Sequence, residues 1–246
     1  MIVFDHLSKS YGHSDVLAVD QLDLTIPSGE LFGFIGPNGA GKTTTIKMLT
    51  GILTPTSGDC FIDGISIRKN PMEAKRMIGY VPDGSDLFDR VTGIEYLRFI
   101  ADMYDVSEAD FRTRLDYYLD LFDLKDAAAS QIRSYSKGMR QKTATIGALI
   151  HDPKVFILDE PMMGLDPKSS YLLKEEMKRQ CSLGKTVFFS THVLEVAEKL
   201  CTRIAIIRHG KLAAEGTLEE LRNREKAESL EEIFLELTGE GEGENE

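Results

Sequence analysis

Short apolar blocks separated by turn residues open the chain. "IVFDHL" (2–7), "LDLTI" (22–26) and "LFGFIG" (31–36) read as strands, with turn chemistry at Tyr11 and Gly12 and again at Pro27, Ser28 and Gly29. After the third strand comes "GPNGAGKTT" (36–44). The following "TTTIKMLTGIL" (43–53) places Ile46, Leu49, Ile52 and Leu53 at helical spacing, which predicts a helix running to the end of that segment. Further short strands are predicted at Asp59 to Ile62 and Met77 to Val81.

The texture changes between about Thr92 and Ile150. "IEYLRFIADMY" and "FRTRLDYYLDLFDL" carry apolar residues three and four apart with charges between them, so this stretch reads as a helical insertion. Strand-like runs return as "VFILDEP" (155–161) and "TVFFSTH" (186–192). "IAIIRHGKLAAEG" (204–216) then reads as a hairpin around His209 and Gly210, and "SLEEIFLEL" (229–237) as a last apolar-patterned segment. The tail "GEGEGENE" (239–246) has no side chain to bury and is expected to be a disordered end.

The 246 residues, 42% of them hydrophobic, suffice for one large core, or for one core with a smaller satellite packed on it. Lys and Arg number 29 against 40 Asp and Glu, giving a formal net charge of -11, which argues against a broad nucleic-acid-binding face or adsorption to anionic lipid. Cys60, Cys181 and Cys201 are odd in number and far from CxxC spacing, so neither a disulfide framework nor a zinc site is indicated, and a reducing cytosol fits best. No segment reaches the 18 or so apolar residues of a membrane span, so work at a membrane would go through a partner.

The candidate chemistry begins at Gly36. Gly36, Gly39 and Gly41 let the backbone curl so that successive N–H groups point at a phosphate chain and end on a helix amino terminus. Lys42 supplies a point charge to the outer phosphates, and the Thr43 hydroxyl can ligate magnesium. "VFILDEP" delivers Asp159 and Glu160 at the carboxyl end of a buried strand. Beside the phosphate loop, Asp159 suits magnesium held through water, and Glu160 suits orienting or deprotonating the attacking water. His192 ends another strand, either as a structural histidine or as a contact to the terminal phosphate. A second anion-binding element stands apart at "YSKGM" (135–139), where Ser136 and Gly138 open a helix among Lys137, Arg140 and Lys142.

The order Tyr11, "GPNGAGKTT", "YSKGMRQ", "VFILDEP", "GLDP", "STH" resembles that of the nucleotide-binding subunits of ABC transporters, over nearly the whole chain. The resemblance implies an α/β fold: a P-loop NTPase core of ABC ATPase type with an antiparallel β subdomain and a helical subdomain insertion. It divides one domain (1–238) into a core plus β subdomain (1–84 and 151–228), a helical subdomain with a signature loop (85–150) and a C-terminal helix (229–238).

It also implies ATP and Mg2+ as ligands. ATP would lie on Gly36, Asn38, Gly39, Ala40, Gly41, Lys42, Thr43 and Thr44, with Tyr11 stacked on adenine and Ala18 beneath it. Thr43 and Asp159 would hold the metal, Glu160 and His192 would act in hydrolysis, and Asp166 would reach across a dimer. In such a dimer two domains, identical or homologous, pair head to tail, and Ser136, Lys137, Gly138 and Met139 of one cap the nucleotide of the other. That assigns the second anion-binding element to the partner's ATP.

Several positions depart from the family's pattern; among them, Met162 and Met163 stand where small hydroxyl residues are frequent, and soft packing accounts for them. Asp83 stands where a lid-loop Gln is usual and is either a magnesium ligand or part of a Pro82–Asp83–Gly84 turn. Lys137 and Met139 replace glycine and glutamine, and Lys137 either attracts the opposite nucleotide or points into solvent. The ending "SLEEIFLELTG" resembles that of the ABC-2 type exporters of drugs, bacteriocins, peptides or sodium. The expectation is an ATP-hydrolysing subunit at the inner face of the cell membrane, driving export through separate permease subunits. An importer ATPase is the alternative, and a soluble ABC protein working on ribosomes or DNA fits the single acidic domain less well.

Overall fold

The structure, a computed structural model, describes residues 1–12, 16–84 and 86–239; most of the expected disordered tail (239–246) lies outside them. Two sheets organise the chain. β1 (Ile2–Ser10), β2 (Leu17–Ile26), β4 (Ser57–Ile62) and β5 (Ile65–Ser66) form an antiparallel sheet in the order β2-β1-β4-β5. The second sheet adds β3 (Leu31–Ile35), β6 (Ile78–Val81), β7 (Val155–Leu158), β8 (Thr186–Thr191), β9 (Arg203–Arg208) and β10 (Lys211–Gly216), in the order β10-β9-β3-β8-β7-β6. All of its pairings are parallel except the β9–β10 hairpin predicted around Gly210.

The parallel strands are buried on both faces, and their side chains alternate between two cores. Phe32, Phe34, Ile157 and Phe188 enter the core shared with the antiparallel sheet and α1 (Lys42–Leu49). Leu31, Phe156, Leu158, Val187 and Phe189 enter the core shared with the helices of the other face. Phe188 sits between Phe32, stacked at 5.8 Å, and Phe34, tilted at 5.4 Å.

The helical insertion comprises α3 (Gly93–Met103), α4 (Glu108–Leu121) and α5 (Lys137–Leu149). Thr92 and Glu95 close a capping box on α3, and Ser107 caps α4. α5 runs against β6, where a side chain on Gly79 would collide with the carbonyl oxygen of Ala148. α6 (Pro167–Ser182) starts with Asp166 as N-cap and Pro167 in its first turn. α7 (Leu194–Leu200), α8 (Leu218–Glu225) and the predicted last helix, α9 (Leu230–Thr238), gather a third core around Ile35, Ile206 and Ile233.

The helix after the phosphate loop is shorter than its apolar spacing predicts. It ends at Leu49 with Thr50 as C-cap; Gly51 adopts φ +65°, and Ile52 emerges exposed. The left-handed glycine breaks the helix where the apolar pattern continues. α2 (Pro71–Arg76), α6, α7 and α8 are helices that the sequence analysis does not predict. Among the described residues, no helix is long and apolar enough to cross a membrane.

Candidate nucleotide-binding and hydrolysis site

Parallel strands deliver their carboxyl ends to one edge of the sheet, which is where open α/β sheets place ligands. β3 leads into Gly36, β6 into Asp83, β7 into Asp159 and Glu160, and β8 into His192. The cleft at this edge is lined by Ala18, Asn38, the 39–44 stretch, Asp83, Glu160, Met163 and His192.

The phosphate loop is curled and anchored. Gly39 and Gly41 adopt φ +78° and +108°, and the Gly41 carbonyl accepts the Thr45 N–H at 2.9 Å as α1 begins. A side chain at Gly41 would strike the carbonyl oxygen of Ala18. The tip of the β9–β10 hairpin pins the loop from outside: the Gly210 N–H donates to the Ala40 carbonyl, while the Gly210 carbonyl accepts from the Asp20 N–H, both at 2.9 Å.

Lys42 is 7% exposed, and its ammonium donates to the Gly36 and Pro37 carbonyls at 2.7 and 3.2 Å. The Glu160 carboxylate lies 3.8 Å away. Burial pulls the Lys42 pKa below the ordinary lysine value, opposed by the charges of Glu160 and Asp159.

The two acids of "LDEP" have different surroundings. Asp159 is buried, and its Oδ1 accepts a hydrogen bond from Ser190 Oγ at 2.6 Å. That same Ser190 oxygen accepts the Glu160 N–H at 3.0 Å. Glu160 leaves the strand in the left-handed region, φ +47°, which turns its carboxylate into the cleft; there Oε2 meets His192 Nδ1 at 3.0 Å. Sequence reasoning misses Ser190: it lies on β8, far along the chain from Asp159 and Glu160, and only the pairing of β7 with β8 brings its hydroxyl to them.

The other predicted residues are spread around this cleft. Thr43 is exposed at the start of α1. Tyr11, half exposed, reaches the Thr44 hydroxyl through its own hydroxyl at 3.2 Å. The Asp166 carboxylate caps α6 through the Ser169 N–H at 3.0 Å, and the Ser169 hydroxyl and amide hold its pKa below the usual range.

Ser136, Lys137, Gly138 and Met139 do not line the cleft of their own chain. They form the start of α5, with the Ser136 hydroxyl accepting the Met139 N–H at 3.2 Å, so the opening turn is a capped helix terminus on a separate element.

A glycine-curled phosphate loop with a buried lysine and two carboxylates at adjoining strand ends defines a phosphate-loop nucleotide hydrolase. The fold, with its antiparallel sheet and helical insertion, narrows the class to the ATP-binding cassettes. Residues 19–163 match the family model for ABC transporter.

The Nod factor export ATP-binding protein I of Cupriavidus metallidurans is 38% identical over 229 residues, 93% of this chain and 75% of that one. A solved ATP binding subunit of an ABC transporter superposes with a TM-score of 0.92 at 34% identity, covering 96% of this chain and 99% of that one. A dimeric ATP-binding cassette in a post-hydrolysis state, bound to ADP and Pi, superposes with a TM-score of 0.81 at 26% identity, covering 89% and 99%. The chain belongs to the ABC transporter family. With that membership comes its class of chemistry, ATP hydrolysis of the ABC type.

Proposed function

We propose that this chain energises export through separate permease subunits, working as a head-to-tail pair of ATP-hydrolysing domains. One observation carries the pairing: the capped turn Ser136–Met139 lies outside the cleft of its own chain, so a second anion-binding helix terminus is left to serve a nucleotide held by another domain. The similar cassette solved as a dimer with ADP and Pi supports that reading. The relative whose name specifies Nod factor export supports the outward direction. The partner domain is identical or homologous, the permease docks on the helical insertion and the lid loop around Asp83, and nucleic acid has no part. The location that follows is the cytoplasmic face of the membrane.

In this assignment Gly36, Asn38, Gly39, Ala40, Gly41 and Thr44 cradle the phosphates and Lys42 neutralises them. Tyr11 stacks on the base above Ala18; aromatic stacking tolerates many bases, so the phosphate contacts supply most of the affinity. Thr43, Asp159 and Asp83 would hold Mg2+. Their all-oxygen donor set suits a hard cation, and Ser190 occupies only one oxygen of Asp159. Mg2+ would screen charge on the phosphates.

Glu160 orients the attacking water, and His192, already paired with it, contacts the γ-phosphate. Across the dimer, Ser136, Lys137, Gly138 and Met139 close over the partner's γ-phosphate and Asp166 reaches the opposite loop. ATP acts as glue between two acidic chains that otherwise repel.

The test is Glu160→Gln, which should lower kcat by about 100-fold or more while ATP binding persists. An undiminished rate would remove Glu160 from the mechanism.

A further inference from the structure

Lys137 replaces a family glycine at the first position of α5, and its side chain has a contact within its own chain. Its Cε, Cδ and Nζ lie against Gly164, where a Cβ would stand only 3.0, 3.1 and 3.5 Å from them. A Cβ on the next residue, Gly138, would stand 3.6 Å from the Gly164 carbonyl oxygen. Gly164 has φ +80°, so both its backbone conformation and the lysine stem above it favour glycine there.

Gly164 belongs to the loop that joins Glu160 to Asp166. Two tight turns close that loop: the Met163 N–H donates to the Glu160 carbonyl at 3.2 Å, and the Leu165 N–H donates to the Met162 carbonyl at 3.4 Å. These turns connect Gly164 to Glu160 over a short stretch of backbone, and Glu160 itself is left-handed at φ +47°. Lysine stems commonly cover surface in this way.

We propose that Lys137 is a positioning residue. Its hydrocarbon stem, laid over Gly164, holds the first turn of α5 against the Glu160–Asp166 loop and so sets the placement of Glu160. The consequence for turnover rests on the role given to Glu160 above. Packing and charge are then separable by substitution, because an uncharged unbranched side chain keeps the stem over Gly164 and loses the ammonium.

Lys137→Met keeps an unbranched stem and removes the charge. Lys137→Ala removes both and preserves helix propensity. Both variants are assayed as the full chain for steady-state ATP hydrolysis, and for amide hydrogen exchange across 160–166. Both variants lose the charge given to the opposite nucleotide and should fall below the parent in activity; the deciding comparison is between the two, and Lys137→Ala should show a kcat at least about fivefold below Lys137→Met. The loop amides should exchange faster in Lys137→Ala alone.

Equal kcat and equal exchange in the two variants would overturn the proposal. Glu160→Gln, measured in parallel, separates the two readings: if it turns over normally the role of Glu160 fails, while the exchange difference still decides whether Lys137 holds the loop.

Discussion

Removing one oxygen atom at Ser190 should loosen both acids of the site. Ser190 is fully buried, and its hydroxyl donates to Asp159 Oδ1 at 2.6 Å while accepting the Glu160 N–H at 3.0 Å. In Ser190→Ala the carboxylate of Asp159, 1% exposed, loses a charge-assisted bond worth about 1.5–3 kcal/mol. The Glu160 N–H is left unpaired at a further cost of about 1–3 kcal/mol.

The two losses share one atom and relax together, so about 3–4 kcal/mol in sum is the expectation. At about 2.1 cal/mol/K of unfolding entropy per residue, the 246 residues give about 0.5 kcal/mol/K, and Tm should fall by about 6–8 °C. Calorimetry of the parent and variant chains measures this directly. Steady-state hydrolysis should fall as well, because the same bond fixes the backbone turn that aims Glu160 into the cleft. A Tm drop under about 2 °C would refute the argument that this hydroxyl satisfies both acids.

Other expectations follow from the same geometry. Gly41→Ala forces a methyl group against the Ala18 carbonyl at φ +108°, and should weaken ATP binding at least about tenfold in a fluorescent-nucleotide titration. Ile233→Ala, deleting a fully buried side chain from the core that α9 closes, should cost about 2–5 kcal/mol by urea unfolding.

Burial pulls the His151 pKa down to about 4, helped by Arg114 and Lys185 and opposed by its bond to the Ile78 carbonyl and by Asp152. Because the folded pKa lies below the unfolded one, stability is intact above about pH 6.5 and is lost as pH falls towards 4, by up to about 3 kcal/mol. His151→Phe should flatten that part of the pH–stability curve.

The phosphate loop was legible because its function is local. Six residues of backbone, two of them left-handed glycines, and one lysine supply the cradle's own groups, so a contiguous string encodes it, while the hairpin tip at Gly210 only braces it from outside. The strands were legible for a related reason, since alternation and apolar runs report burial on one or two faces. The helix after the loop was overextended because Ile52 and Leu53 keep the helical spacing, while Gly51 in the left-handed region ends the helix before them.

By itself the sequence determined the order of strand, loop and helix, the acidic balance, and the presence of two helix starts whose residue types suit an anion. Only the tertiary structure decided how those parts meet. Parallel pairing of β3, β8, β7 and β6 brings Gly36, His192, Glu160 and Asp83 to one sheet edge from points far apart in the chain. Ser190 is shared between Asp159 and Glu160 across two strands, Lys137 lies over Gly164 from a separate helix, and Ser136–Met139 stays outside the cleft. Such contacts depend on strand register and on side-chain direction at particular positions, and neither is carried by the periodicity of a single segment.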